Sequence, residues 1–331
     1  MTHDEDWPVS LSVVVPFKNA YKTLGPLAKA LREQADRGVE FLGIDDGSDD
    51  GGAEILEAVG FAIHRFERSR GPAAARNEGV HAAKGEVILF LDADVVPLDD
   101  LIAHVRGRFT HEPTLLALSG VYHPAPANRG FFPLYKALLC YAWFDGKARF
   151  GSLETACAAV RRRAFLDAGG FDESFTGADV EDYELGYRLG GSAGIEIDHA
   201  MRVKHHFPGF FANLKNFAKR SYQWAMLKRP RTFDTVATTP REGAASLSTY
   251  AVIGLLAATI VTGQQVLGYA TLAAVATQLQ LRRGFYLMCH ENEGPRFTVL
   301  AVLVTMANDL VVVPAVAAGT MRRLLGGASK A

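Results

Sequence analysis

Two acidic clusters stand out because each follows a short apolar run: Asp45-Asp46 after Phe41-Leu-Gly-Ile44, and Asp92-Ala93-Asp94 after Val87-Ile-Leu-Phe-Leu91. Open α/β sheets bind ligands at the carboxyl ends of their strands. Two carboxylates at i and i+2 just past a strand can turn to one side and hold a hard divalent cation, Mn2+ or Mg2+, that keeps positions open for substrate oxygens. The chemistry such an ion suits is departure of a diphosphate, as from a nucleotide-sugar, where the leaving charge must be neutralised. A bare Asp-x-Asp is commonly a solvated turn; its place directly after five apolar residues gives it weight. Glu181-Asp182 forms a third acidic pair. The helix macrodipole alone favours such a pair at a helix start. Adjacent helical positions point about 100° apart, so one of the two can face a substrate as general base. His205 and His206 offer imidazoles for a metal or a diphosphate, although a lone histidine is commonly a surface or core residue.

These groups need elements to hold them. The first half of the chain alternates short apolar runs with helical patterns, the mark of a parallel sheet with crossover helices. Leu11–Val15 reads as a strand closed by Pro16, Tyr21–Gln34 as a helix, 41–44 and 61–64 as strands, Ala73–Ala83 as a helix after Gly71-Pro72, and 87–91 as the central strand. From about Gly120 to Val160 the pattern turns irregular and aromatic. A helix resumes near Glu181. Asn213–Arg229 reads as an amphipathic basic helix with Leu214, Phe217, Ser221 and Trp224 on one stripe, suited to lie at a membrane surface.

The tail differs in kind. The 38 residues from Ala244 to Leu281 carry no charge, about twice the ~20 residues that cross a bilayer core. The polar break Thr262-Gly-Gln-Gln265 falls near the middle, where a hairpin turn would sit. A third apolar stretch, Phe297–Met321, contains Asn308-Asp309 and Pro314, and Asp309 would cancel most of its insertion gain unless paired within the protein. Two spans and three spans both remain open, as does a soluble bundle. From Ala244 onward six Lys/Arg face three Asp/Glu, against 29 and 33 in the residues before it, for a net charge of −1. An acidic domain on a basic apolar tail suits attachment to an anionic bilayer, and the near-neutral total exerts no pull toward nucleic acid. Cys140, Cys157 and Cys289 are scattered and odd in number, which fits a reducing compartment. The acidic N-terminus lacks the apolar run of a secretory signal.

The motifs, in this order, resemble the family 2 glycosyltransferases of GT-A fold, in their membrane-associated bacterial form. Val13-Val-Val-Pro-Phe-Lys-Asn19 is similar to the family's first strand and donor loop, Asp45-Asp-Gly-Ser-Asp-Asp50 to its second-strand motif, and Gly71-Pro-Ala-Ala-Ala-Arg-Asn-Glu-Gly79 to the helix before the central strand. Gly85–Asp94 resembles the metal-binding strand, and Arg161-Arg162 with Gly169-Gly-Phe-Asp-Glu173 the acceptor-side segment. Glu181-Asp182 resembles the pair opening the acceptor-side helix, and Val203-Lys-His205 the valine-x-histidine after the last strand. Together these cover residues 10–206.

The resemblance implies an α/β, Rossmann-like nucleotide-diphospho-sugar transferase domain over residues 1–212. A basic interfacial helix and linker would occupy 213–243, and transmembrane or membrane-associated helices 244–331. It implies an inverting transfer in which Asp182, with Glu181 as the alternative, is the base. Pro16, Phe17, Asn19, Asp46, Arg76, Asp92 and Ala93 would bind the donor, with Asp46 on the nucleobase; Asp94, Asp92 and His205 would hold the metal. The acceptor would be a hydroxyl or phosphate group on a lipid or glycan in cell-envelope synthesis, with the catalytic domain on the cytoplasmic face of an inner or cytoplasmic membrane. The family's processive synthases carry Gln-x-x-Arg-Trp near the basic helix. Here Gln223 is followed directly by Trp224, which favours transfer of one or a few sugars. A sugar-phosphate nucleotidyltransferase would carry a Gly-rich loop after the first strand, and 16–20 is Pro-Phe-Lys-Asn-Ala. A non-catalytic scaffold would predict loss of Asp94 or Asp182, and both are present.

Overall fold

The computed structural model describes residues 9–35, 38–177, 179–227 and 239–326. They form two compact units: residues up to 129 with 146–207, and residues 130–145 with 208 onward.

The first unit is built on a nine-stranded mixed sheet. In chain order its elements are β1 (Leu11–Phe17), α1 (Tyr21–Glu33), β2 (Val39–Asp45), α2 (Gly52–Glu57), β3 (Ala62–Arg65), α3 (Pro72–Ala82), β4 (Val87–Leu91), β5 (Val95–Pro97), α4 (Leu101–His111) and β6 (Ala117–Tyr122). After α5 (Phe131–Phe144), which belongs to the second unit, come β7 (Arg149–Phe150), β8 (Cys157–Arg161), α6 (Arg162–Asp167), α7 (Glu181–Gly190) and β9 (Ile195–His205). The strand order is β3-β2-β1-β4-β8-β6-β9-β5, with β7 also on β9. The strands from β3 to β4 are parallel, and β8 enters antiparallel between β4 and β6. All seven residues of β1 are buried, as befits a strand covered on both faces. Leu24, Leu27, Ala28 and Leu31 form the i, i+3, i+4, i+7 stripe by which α1 covers the sheet. β1 runs through Pro16 to Phe17 where the sequence predicts an end: its pairing to β4 covers only Leu11–Val14, so beyond it the missing N–H disrupts no ladder on that side.

The second unit contains α5, α8 (Phe210–Met226), α9 (Pro240–Thr262), α10 (Gln265–Leu281) and α11 (Arg283–Leu324). The hairpin turn falls where the polar break predicts it, with Gly263 in the left-handed region at φ 67° closing α9. α11 is broken at Gly294, followed by Pro295. Helices α9 and α11 are long and apolar enough to cross a membrane. Helix α10, at 17 residues, reaches about 25 Å and falls short of the ~30 Å hydrocarbon core. Asp309 is paired as its burial requires: it accepts from Arg282 Nη1 and Nη2 at 2.7 and 2.9 Å, Ser246 Oγ at 2.8 Å and Thr249 Oγ1 at 2.7 Å. Arg282 also donates to Glu242 at 3.0 Å. Part of the apolar stripe expected to face lipid on α8 is used inside the protein, where Phe217 meets Trp143 of α5 and Lys136 Nζ sits 4.0 Å over the Phe217 ring. α8 lies so close to α11 that a Cβ on Gly319 would fall 2.4 Å from the Tyr222 carbonyl oxygen. Lys228-Arg229, expected to end this helix, lie outside the described residues.

Candidate active site

The carboxyl end of β4 delivers Asp92 and Asp94, and α3 delivers a cation that pairs with the first of them. Gly71 and Pro72 start α3, proline occupying the first turn where its missing N–H costs nothing. Five residues on, the Arg76 guanidinium donates to Asp92 Oδ1 at 2.7 Å and to Glu181 Oε1 at 3.0 Å. Burial alone would lower the Arg76 pKa; Asp92, Glu181 and, more weakly, Asp182 outweigh it and hold the group charged. One buried arginine thus ties the β4 carboxylates to the first turn of α7.

Asp94 turns the other way. β5 pairs antiparallel with β9, Val95 opposite His205, which brings Asp94 Oδ1 within 3.5 Å of His205 Nε2. The ring is held by Phe207, stacked at 4.4 Å, and by Tyr122, edge-on at 5.5 Å. Its Nδ1 is buried with no hydrogen-bond partner among the described residues. Desolvation raises the Asp94 carboxyl above its ordinary range, His205 opposes the rise and Asp92 adds to it. Among the described residues no group of three or more His, Cys, Asp or Glu is arranged to hold a metal ion. The arrangement is a two-donor pair, the Asp94 carboxylate facing the Nε2 of His205. Mg2+ and Mn2+ sites that rely on substrate phosphates for the remaining ligands need no more from the protein. The donor set fits such an ion, whereas Asp92 is engaged by Arg76. His206 contributes its backbone, donating to the Asp94 carbonyl at 2.8 Å.

The loops after β1 and β2 are laced together. Asp46 N–H donates to the Phe17 carbonyl at 2.8 Å, Asn19 N–H to Ser48 Oγ at 3.0 Å, and Asp49 N–H to Asn19 Oδ1 at 3.0 Å. Asn19 adopts φ 49°, which its short polar side chain tolerates. Pro16 and Phe17 therefore end β1 beside Asp46, while Ala93 is half-buried against the core beyond β4. Within the acidic run Asp45 and Asp50 are braces: Asp45 accepts from Ser48 N–H and Arg65 Nε, both at 2.7 Å, and Asp50 from Tyr21 and Gly52 N–H. The buried Asp46 carboxylate accepts from Ser69 Oγ and the Arg70 N–H at 2.6 Å, and from Gly71 N–H at 3.1 Å.

The segment leading into α7 lies against the start of α3. Asn77 donates to the Phe171 carbonyl and accepts from the Phe171 N–H, and Arg70 pairs with Glu173 at 2.9 Å. Thr176 passes so near Gly71 (φ 94°) that a Cβ there would sit 2.6 Å from its carbonyl oxygen. Glu181 accepts from Arg76 on one oxygen and from the Asp179 N–H, at 3.0 Å, on the other. Asp182 is equally buried, with Oδ1 accepting from the Tyr183 N–H at 2.8 Å. Of the two, Glu181 is pinned in place by Arg76. Tyr122 and Glu154 also border this region, and the sequence reading passes over them because they fall in its irregular stretch. The run Leu118-Ser-Gly-Val-Tyr122, interrupted at Gly120, carries no regular alternation that would have marked the first.

The profile of the family described as Glycosyl transferase family 2 matches residues 12–168. The uncharacterized glycosyltransferase YfnE of Bacillus subtilis is 26% identical over 235 residues, covering 54% of this chain and 59% of the relative. The succinoglycan biosynthesis protein ExoU of Rhizobium meliloti is 28% identical over 227 residues, covering 58% and 60%. The chain spans less than two thirds of the length of these curated relatives. Among solved structures, a mannosyltransferase from Pyrobaculum calidifontis in complex with GDP-Man and Mn2+ is alike in fold, at a TM-score of 0.54 and 15% identity over 98% of this chain and 91% of that one.

Proposed function

The chain is a family 2 glycosyltransferase of GT-A fold, and on that premise we propose that it carries out an inverting, metal-dependent transfer from a nucleotide-diphosphate sugar to a membrane-borne acceptor. The observation that carries the reading is Arg76 bridging Asp92 and Glu181, since it joins the β4 carboxylates to the first turn of α7. Asp46, with Pro16, Phe17 and Asn19 beside it, holds the nucleobase end of the donor; Arg76, Asp92 and Ala93 border its diphosphate and sugar. A divalent cation, Mn2+ or Mg2+, bound by Asp94 and His205 with Asp92 nearby, would neutralise the diphosphate as it leaves. Asp182 takes the proton from the acceptor as the acceptor attacks the anomeric carbon opposite the nucleotide. Glu181 is the weaker candidate for base because a carboxylate paired with a buried guanidinium is a poor proton acceptor.

The apolar side chains exposed along α9 and α10, among them Ile260, Val261, Val266, Tyr269 and Leu272, support a bilayer around the tail and an acceptor carried in it. The reading extends to an inner or cytoplasmic membrane, a catalytic domain on its cytoplasmic face, and a role in envelope glycan or glycolipid synthesis. The test is a panel of nucleotide-sugars offered to the full-length protein with Mn2+ and with excess chelator. Release of a nucleoside diphosphate that stops in chelator is expected. Pyrophosphate exchange, or undiminished release in chelator, would overturn the reading.

A further inference from the structure

The acceptor side of the site carries a carboxylate with no role so far. β8 runs antiparallel to β4 with Cys157 opposite Leu91, so the residues before Cys157 continue past the end of β4, alongside Asp92-Ala93-Asp94. In this stretch Ser152, Leu153, Thr155 and Ala156 are buried, as is β8 itself through Val160, and Glu154 alone reaches solvent. Two contacts define where it emerges. On one side the Tyr122 hydroxyl donates to Glu154 Oε1 at 2.9 Å, and the Tyr122 ring packs on His205. On the other the neighbouring Leu153 N–H donates to the Asp182 carbonyl at 3.1 Å. Helix α7 sits directly on this loop, for a Cβ on Gly186 would lie 2.4 Å from the Gly151 carbonyl oxygen. Ser119 Oγ accepts the Glu154 N–H at 3.1 Å and donates to the Ser152 carbonyl at 3.2 Å. Glu154 therefore stands on a braced loop between the histidine beside Asp94 and the turn that carries Asp182.

We propose that Glu154 is the specificity-determining residue for the acceptor, accepting a hydrogen bond from a hydroxyl of a neutral polyhydroxylated group, a sugar or polyol, and disfavouring a phosphate as the attacking group. The inference rests on the reading of Asp182 as the base. Two carboxyl groups flanking the incoming nucleophile disfavour a phosphate monoester there, and a phosphate, already ionised near neutral pH, needs no base. A hydroxyl needs one and donates the hydrogen bonds that carboxylates accept. In the step itself the acceptor hydroxyl oxygen bonds to the anomeric carbon and its proton passes to Asp182. The bond from that carbon to the diphosphate oxygen breaks, and the nucleoside diphosphate leaves with the electron pair.

The experiment uses the full-length protein in its native membranes with a radiolabelled nucleotide-sugar, followed by mild acid treatment of the labelled product. A glycosidic linkage that survives is expected; an acid-labile glycosyl phosphate would overturn the proposal. Glu154→Ala should raise the acceptor KM about ten- to hundredfold, the range of one hydrogen bond to a charged group, with the donor KM within twofold. Tyr122→Phe should move the acceptor KM in the same direction by less. An unchanged acceptor KM in Glu154→Ala, with Asp182→Asn inactive, refutes this inference alone, whereas an active Asp182→Asn refutes the reading beneath it.

Discussion

The Arg76 bridge makes a prediction about stability that spacing in the sequence cannot. The Arg76 and Glu181 side chains are 6% and 4% exposed, and Asp92 is 28% exposed. Replacing Arg76 by alanine leaves a buried carboxylate without its cation, a change that typically costs about 3–5 kcal/mol. Asp92 reaches water and adds less. For a unit of this size each kcal/mol lowers the melting temperature by about 2–4 °C, so Arg76→Ala should melt about 6–20 °C lower. Removing the buried charge as well should restore part of the loss. The double variant Arg76→Ala/Glu181→Gln should melt above Arg76→Ala alone, although Glu181→Gln by itself destabilises the native chain. The assay is thermal unfolding of the full-length protein in detergent across the four members of the cycle. Additive losses, with the double variant lowest, would show that Arg76 and Glu181 do not interact and would remove the link between β4 and α7.

Other outcomes follow from particular contacts. Gly71→Ala should cut transfer at least tenfold while leaving expression intact, because the new Cβ meets Thr176 and shifts the segment entering α7; steady-state kinetics check it. Asp198 is subject to desolvation that would raise its carboxyl, but the His104 hydrogen bond, the Ala200 N–H and the charges of His104 and Arg108 hold it below the usual range. A depressed native value contributes stability above the unfolded value, about 3.9, and loses it as pH falls through the native one. Asp198→Asn should therefore be less stable than the parent at pH 7, with the gap closing in acid denaturation. The full-length protein should sediment with membranes and resist both high salt and alkaline extraction. A chain ending at Thr239 should be poorly soluble, because Phe132, Tyr135 and Leu138 of α5 lose the cover of Cys289 and Ala301.

The parts of the fold that rest on unbroken apolar runs are legible in the sequence. β2 and β4 give way to their acidic clusters where their apolar runs end, and Gly263 turns the tail at the polar break Thr262–Gln265. The stretch from 117 to 161 is not. Gly120 interrupts the alternation of β6, and Cys157-Ala-Ala-Val160 of β8 is poor in β-branched residues. The apolar residues of α5 surround the helix and leave no stripe to read. The acidic motifs identify the candidate site, but their division of labour is tertiary. Asp45 and Asp50 prove to be braces, and Arg76 reaches Glu181 across 105 positions. Asp309 likewise finds Arg282 only because the helix break at Gly294 folds the chain back.

The role of Asp182 as the base of a nucleotide-sugar transfer stands or falls on Asp182→Asn in the full-length protein, with transfer and nucleoside diphosphate binding measured in parallel. Loss of a general base typically costs ~10²–10⁴ in rate. A fall of that size in kcat, with the nucleotide dissociation constant in Mn2+ changed less than about threefold, is the predicted result. Turnover by Asp182→Asn at the parental rate, or activity lost only in Glu181→Gln, would contradict it.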